Sequence, residues 1–160
     1  FKGKAWYAYS IYIPEDFTVR VHPVKQYLGQ FHQENSWPTL MFRFGSRGYY
    51  VIRQWDGSMV DRTKLLGVNE MLGKWNDILI HMNSTSKDDG FYKVWVNGKL
   101  KYDYKGKTTE GNKSYFKFGI YQTRVDRWNT DAMGEYPTQV VYFDEVRAGK
   151  KKEDVIKNLK

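Results

Sequence analysis

The stretch FYKVWVNGKLKYDY, residues 91–104, decides the fold class of this sequence. Two runs rich in aromatic and branched apolar residues flank the dipeptide Asn97-Gly98. Asn-Gly is the preferred pair for a two-residue type I′ turn, because both central residues of that turn need positive φ. The stretch therefore predicts a β-hairpin with strands over residues 91–96 and 100–104.

Outward from this hairpin, similar runs recur along the whole chain. Further strands are predicted over residues 6–13, 27–33, 40–44, 49–55, 77–83, 115–122 and 139–147. Residues 56–74 are less regular and are expected to form a loop or a short helix, and residues 152–159 are the one helix candidate of note. Such a series of short strands, without a long helical period or a linker, predicts a single all-β domain over residues 1–160, an antiparallel sandwich or barrel.

Composition narrows the classes of partner. The 160 residues are enough for one domain with a core, and the net charge of +8 attracts polyanions: nucleic acids, anionic membranes or acidic polysaccharides. The absence of cysteine excludes disulfides and thiolate chemistry. No apolar run reaches membrane-spanning length, so no membrane partner is expected. No recognition helix, zinc-ligand spacing or aromatic RNA-binding motif is present, so no nucleic-acid partner is expected either.

The run at residues 115–121 separates into two faces, because successive side chains of a strand point to opposite sides. Its apolar face consists of Phe116, Phe118 and Ile120. Its other face consists of Tyr115, Lys117, Gly119 and Tyr121. A glycine inside a strand often marks the close approach of a ligand, so this second face is a candidate for substrate contact.

Other predicted strands also carry polar side chains opposite apolar ones. These candidates are Gln30, His32, Arg43, Arg53, His81 and Asn83. If their faces belong to one concave sheet, they line a polar groove, but the pattern does not show which faces coincide. A single histidine on a strand is more often structural or simply exposed than catalytic.

Five motifs in order carry a resemblance to known enzymes. They are Gln-x-His at 30–32, Trp-Asn-Asp at 75–77, VWVNGK at 94–99, YFKFGIY at 115–121 and VYFDEV at 141–146. Together they resemble the heparin lyase I-like superfamily of polysaccharide lyases, which includes glucuronan lyases. The first and fourth motifs are also similar to those of the family 7 alginate lyases.

This resemblance implies a concanavalin-like β-jelly roll of two antiparallel sheets with the substrate in a concave groove. It implies a secreted or periplasmic polysaccharide lyase, expected to be a monomer, that cleaves an acidic, uronic-acid-containing polysaccharide by β-elimination. It does not say which uronan is cleaved, or whether cleavage is internal or terminal.

β-Elimination removes the proton at C5 of a uronate, so its chemistry assigns roles to the matched residues. Gln30 is expected to donate a hydrogen bond to the enolate-like intermediate, and His32 to take the proton. Tyr121 is expected to protonate the departing O4, helped by the charge of Lys117. Tyr121 acting as both base and acid is the alternative. The substrate-binding set is expected to be Lys117, Arg43, Arg53, His81, Asn83 and Tyr115.

One element of the family pattern does not match. The family places an Arg-x-Glu strand upstream of the strand that residues 6–13 resemble, and this sequence starts after that point. We therefore expect an open sheet edge beside strand 27–33 or strand 6–13, unless another segment fills that place. We also expect reduced activity, unless Arg43 or Arg53 takes the place of the missing arginine.

Two other functions share the predicted fold. A non-catalytic, laminin-G-like carbohydrate-binding module fits the hairpin equally well, but simple binding does not require Gln30, His32, Lys117 and Tyr121 together. A glycoside hydrolase needs two suitably placed carboxylates, and the acidic residues fall mainly in turns. No cofactor is expected. Ca²⁺ at Asp144 remains open, although hard cations need several oxygen ligands and the sequence shows no such cluster.

Overall fold

The computed structural model describes residues 3–156, which form two five-stranded antiparallel sheets. The strands are β1 (Gly3–Tyr12), β2 (Lys25–Gln33), β3 (Pro38–Gly45), β4 (Gly48–Trp55), β5 (Ser58–Leu66), β6 (Trp75–Ser84), β7 (Phe91–Val96), β8 (Lys99–Lys105), β9 (Ser114–Thr123) and β10 (Tyr142–Gly149). The helical segments are α1 (Val68–Met71), α2 (Thr130–Met133) and two 3₁₀ turns at Val125–Arg127 and Lys152–Asp154.

The two sheets pack face to face as a β-sandwich, which confirms the predicted fold class. The groove sheet has the order β5-β4-β3-β2-β9, and the back sheet has the order β10-β1-β6-β7-β8. Aromatic side chains from both sheets fill the space between them. The hydroxyls of Tyr9 and Tyr49 meet at 2.9 Å, and the rings of Tyr7 and Phe31 pack edge to face at 4.9 Å. Alternation along each strand therefore leaves the other face of each sheet for solvent and ligands.

The strands predicted from sequence are present, and the Asn97-Gly98 turn has the positive φ values of 49° and 76° that its type requires. Residues 56–74 contain a short helix, α1, as expected, but the nine-residue strand β5 that precedes it was not predicted. β5 is an edge strand paired with β4, and most of its side chains are exposed. It therefore lacks the apolar alternation that marks a strand in sequence. The helix expected at 152–159 is a 3₁₀ turn at Lys152–Asp154, and residues 157–160 lie outside the described part.

Other segments fill the open edge that was expected beside strand 27–33 or strand 6–13. β2 lies between β3 and β9, and β1 lies between β6 and β10, so both strands are paired on each side. The C-terminal strands β9 and β10 supply these partners. Among the described residues the sheets end instead at β9 and β10 on this side of the sandwich. There Phe118 is 52% exposed although it packs against Phe143 of the back sheet at 5.5 Å between ring centroids.

A bulge between β2 and β9 sets the direction of the end of β9. Tyr27 pairs with Tyr121 and Gly29 pairs with Phe118, so two β9 residues lie opposite Leu28. One of them is Gly119, whose φ of +123° lies in a region that side-chain-bearing residues rarely adopt. The glycine therefore serves the backbone bend, and a bulge of this kind re-aims the side chains that follow it.

Candidate active site

A cavity of about 430 Å³ lies on the outer face of the groove sheet, and we call it the central cavity. Its lining includes Gln30, His32, Trp37, Lys117, Gly119 and Tyr121. Its floor is apolar, since Tyr27 and Met41 form a small cluster with Ile52 on this face. The structure thus brings together the three residues expected to be catalytic and the lysine expected to assist them.

The register of β2 against β9 explains this grouping. Gln30 lies directly opposite Lys117, and His32 lies directly opposite Tyr115. Side chains at such positions have Cβ atoms about 5 Å apart. Because Phe31 between them is fully buried in the core, Gln30 and His32 must both point to the groove face.

The hydrogen bond of His32 defines its tautomer. Its Nδ1 lies 2.7 Å from the backbone carbonyl oxygen of Gln33. A carbonyl can only accept, so Nδ1 carries the hydrogen, and the neutral ring holds its lone pair on Nε2. The hydroxyl of Tyr115 is 3.5 Å from the same Nδ1, at the limit of a hydrogen bond. His32 is therefore held so that Nε2 is the basic atom.

Gln30 is buried, with 6% of its surface exposed, and it lines the central cavity. Its Oε1 has no hydrogen-bond partner among the described residues. Burying such an atom costs about 1–3 kcal/mol, so an unpaired amide of this kind is rarely kept without a function. Rotation of the amide exchanges Oε1 and Nε2, so Gln30 can offer either an acceptor or an N–H donor to a bound group.

Lys117 and Tyr121 complete the site from β9. The Nζ of Lys117 lies 5.1 Å from the centroid of the Tyr115 ring, within the range of a cation–π contact. Tyr121 is half-exposed, and its ring centroid is 6.2 Å from that of Tyr27. Among residues 3–156, neither the ammonium of Lys117 nor the hydroxyl of Tyr121 has a carboxylate partner.

Trp37 is a residue that the sequence analysis missed. It is 59% exposed at the edge of the central cavity, and its indole packs on Gly57, where a Cβ would come within 2.9 Å of the ring. Gln33 holds its backbone by donating from Nε2 to the Trp37 carbonyl at 3.2 Å. The sequence held one indication of this residue, an aromatic side chain in the Ser36-Trp37-Pro38 turn, where packing of the core does not require one.

Arg43 and Arg53 occupy different surroundings. Arg43 lies on the groove face but lines a neighbouring pocket rather than the central cavity. Arg53 shares the inward face of β4 with Tyr49 and Val51, so the expectation that it lines the groove was wrong. Its Nε is 3.6 Å from Asp61, and its guanidinium lies 4.0 Å over the ring of Tyr104 in the back sheet.

His81 and Asn83 were also expected in the groove, and this too was wrong, because β6 belongs to the back sheet. His81 stacks on Trp6 with ring centroids 3.9 Å apart. Burial lowers the pKa of His81, and the charges of Lys4 and Lys93 lower it further. Asn83 donates from Nδ2 to the carbonyl of Asp89 at 3.0 Å and so supports a turn.

Residues 3–156 contain neither a cluster of metal-ligating side chains nor a helix that could span a membrane. No three or more His, Asp or Glu side chains in this part of the chain are grouped so as to hold a metal ion. Asp144 accepts a hydrogen bond from the amide of Glu145 at 2.8 Å. None of the described helices has the length and apolar character needed to cross a membrane.

Solved structures with the same fold include three of particular interest. An endo-β-1,4-glucuronan lyase from Trichoderma reesei superposes with a TM-score of 0.69 at 19% identity, over 96% of this chain and 71% of that one. An alginate lyase from Pseudomonas aeruginosa gives 0.62 at 17% identity, over 94% and 66%. The receptor-binding domain of a botulinum neurotoxin C/D mosaic gives 0.59 at 15%, over 93% and 33%. At these identities the likeness concerns the fold alone.

The sequence itself supplies the assignment. Comparison with curated protein sequences gave no match. The sequence profile of the polysaccharide lyase family, however, matches residues 2–147, which is most of the chain and includes every residue of the central cavity. The chain therefore belongs to the polysaccharide lyase family.

Proposed function

We propose that this chain cleaves a uronic-acid-containing polysaccharide by β-elimination in the central cavity. The observation that carries the proposal is the set of groups that the cavity contains. A buried unpaired amide, an imidazole with its lone pair on Nε2 and a phenol line it together with one lysine. No described residue of the lining is Asp or Glu, so the pair of carboxylates used in glycoside hydrolysis is not found there.

The proposed reaction assigns one task to each group. Gln30 donates its amide N–H to the uronate carboxylate, and the charge of Lys117 stabilises the negative charge that develops there. His32 takes the C5 proton on Nε2. The electrons of the C5–H bond form the C4–C5 double bond, the C4–O4 bond breaks, and Tyr121 gives its proton to O4. No water is consumed, and the product carries an unsaturated uronate at its new end.

The placement of His32 and Tyr121 favours two separate groups as base and acid. Tyr121 lies opposite Tyr27, which is five residues from His32 along β2, a separation of about 16 Å. The two side chains thus reach the cavity from opposite ends, with room for a sugar ring between them. This arrangement suits removal of the proton and the leaving group from opposite faces of the ring. Tyr121 acting as both base and acid remains the second mechanism to test.

Among uronans, we select glucuronan as the first substrate to test. The reason is the structural similarity to a glucuronan lyase, together with a lysine and an amide that suit any hexuronate carboxylate. Alginate is the second, since an alginate lyase shares the fold. Trp37 would then provide an exposed aromatic surface for a neighbouring sugar ring.

The test is the ultraviolet absorbance of the unsaturated product, measured on glucuronan, alginate and heparin-like glycans, with a neutral glucan as the control. We expect activity on at least one uronan and none on the neutral glucan. Tyr121→Phe should lower the rate by about 10²–10⁴-fold, because it removes the acid. Tyr142→Phe is the matched control, since Tyr142 is equally exposed, at 53%, but lies on β10 of the back sheet.

Three outcomes separate the possibilities. Loss of activity in Tyr121→Phe and in His32→Ala, with normal activity in Tyr142→Phe, supports elimination by two groups. Loss in Tyr121→Phe alone supports the single-tyrosine mechanism. Binding of uronans without any unsaturated product, in the wild-type chain, would instead support a carbohydrate-binding module.

A further inference from the structure

A second pocket opens beside the central cavity, on the same face of the groove sheet, with a volume of about 450 Å³. Six of its lining residues are cationic, and we call it the arginine pocket. They are Arg20, Lys25, Arg43, Arg47, Arg62 and Arg124. No Asp or Glu belongs to its described lining. A pocket with six positive charges and no neutralising carboxylate is a strong site for an anion.

Three structural elements hold these cations in place. Arg43 projects from β3 between Tyr27 and Tyr50 on the neighbouring strands. Arg62 comes from β5 and lies 5.1 Å over the ring of Tyr50. Arg47 lies in the turn between β3 and β4, where its carbonyl accepts a hydrogen bond from the Tyr50 hydroxyl at 3.0 Å. Sheet pairing and the turn therefore place Arg43, Arg62 and Arg47 around the pocket.

The charges are close enough to affect one another. Burial lowers the pKa of Lys25, and the guanidinium charges of Arg124, Arg43 and Arg127 lower it further. Three cations elsewhere in the described chain pair with a carboxylate, and one of them is Lys93, which lies 3.2 Å from Asp103. None of the six pocket cations makes such a pair within residues 3–156. Like charges held close together without counterions repel one another. Binding of an anionic ligand would relieve this repulsion and stabilise the pocket.

We propose that the arginine pocket is an anion subsite that binds the acidic group of a second sugar on the polymer being cleaved. Guanidinium groups form paired hydrogen bonds with planar or tetrahedral oxyanions, so a carboxylate and a sulfate ester are both suitable. The shared chemistry is an oxyanion carried by a sugar. The identity of the polymer rests on the proposed function, but the anion binding does not.

The two pockets meet at Tyr27, which lines the central cavity and lies directly opposite Arg43. Lys25 is five residues from Gln30 along β2, which corresponds to about 16 Å of strand. One sugar cannot contact both, so the arginine pocket receives a different unit of the chain. The subsite therefore favours polymers and longer oligosaccharides over short ones.

The experiment measures binding by titration calorimetry in the Tyr121→Phe background, in which turnover is slowed by about 10²–10⁴-fold. The probes are β-1,4-linked hexaglucuronate, a sulfated dextran hexamer and a neutral dextran hexamer. The test variant is Arg47→Gln/Arg124→Gln, because both side chains are exposed and lie outside the strands. The control variant is Lys99→Gln/Lys101→Gln, which removes two exposed charges from β8 of the back sheet.

We expect the test variant to bind hexaglucuronate or sulfated dextran about tenfold more weakly, and the control variant to stay within about twofold. The probe with the larger loss shows whether a carboxylate or a sulfate ester occupies the pocket. The single substitution Arg62→Gln, at another exposed position of the pocket, should show a loss in the same direction. Unchanged affinity in both pocket variants, or an equal loss in the control variant, would overturn the proposal. A wild-type chain that forms no unsaturated product would refute the proposed function and leave this binding test intact.

Discussion

The groove face and the outer face of the back sheet carry the same kinds of side chain. Each has a histidine beside an aromatic ring, a buried amide and a lysine. On the groove face these are Gln30, His32 and Lys117. On the back sheet they are His81, Asn83 and Lys93. Residue type therefore cannot tell the two faces apart.

The faces differ in whether their polar groups are satisfied. On the back sheet His81 stacks on Trp6 and meets the Phe91 ring edge to face. Asn83 donates to a carbonyl, and Lys93 pairs with Asp103. On the groove face Gln30 keeps a buried amide oxygen unpaired, and Lys117 has no carboxylate partner among the described residues. Unmet hydrogen-bonding capacity on a stable scaffold is the property that marks a site.

The largest expected contrast is between the two histidines. His32→Ala should lower the rate of uronan cleavage by about 10²–10⁴-fold, because it removes the base, with little change in stability. His81→Ala should leave the rate within about twofold but reduce stability by about 1 kcal/mol, because it removes the stack on Trp6. Initial rates and urea unfolding measure the two effects. An inactive His81→Ala variant beside an active His32→Ala variant would contradict the assignment of His32 as the base.

The pH dependence of stability tests the structural role of His81 independently of the reaction rate. The folded-state pKa of His81 lies below its unfolded value of about 6.5, so the unfolded chain binds more protons below that pH. His81 therefore reduces stability as the pH falls below about 6.5, until the folded state is protonated as well. His81→Gln should flatten this part of the curve of unfolding free energy against pH, measured by urea unfolding at a series of pH values.

The two amides give the next contrast. Gln30→Leu should reduce the rate by about 10²–10³-fold by removing a donor to the intermediate. Its stability should stay the same or rise, because an unpaired buried amide is replaced by an apolar group of similar size. Asn83→Leu should keep the rate and cost about 1–3 kcal/mol, since the carbonyl of Asp89 loses its donor. A stability loss in Gln30→Leu as large as that in Asn83→Leu contradicts this account.

The smallest contrast concerns the lysines. Lys117→Gln should slow cleavage about tenfold, through loss of one charge near the uronate carboxylate. Lys93→Gln should change the unfolding free energy by less than about 1 kcal/mol, because its partly exposed ion pair with Asp103 is screened by solvent. Raising the salt concentration should reduce the difference in rate between the wild type and Lys117→Gln, because salt screens the attraction between the Lys117 charge and the anionic substrate. Equal rates for both variants would mean that Lys117 does not act on the substrate.

Much of this protein follows from its sequence. The Asn97-Gly98 turn and the alternating strands fix an antiparallel β fold, because positive φ and a period of two are local properties of the chain. The same period places Gln30 and His32 on one face, with Phe31 on the other. Local spacing also groups Lys117 with Tyr121, so the main residues of the central cavity were predictable.

Tertiary structure alone decided which strands share a sheet and which face of each is buried. Sequence placed His81 and Arg53 among candidates of equal standing, but pairing assigns β6 to the back sheet, and packing turns the Arg53 face of β4 inward. The arginine pocket likewise draws its cations from loops and strands far apart in the chain. Periodicity separates the two faces of a strand without saying which one meets the core. That choice depends on the surface buried between distant segments, which no local pattern encodes.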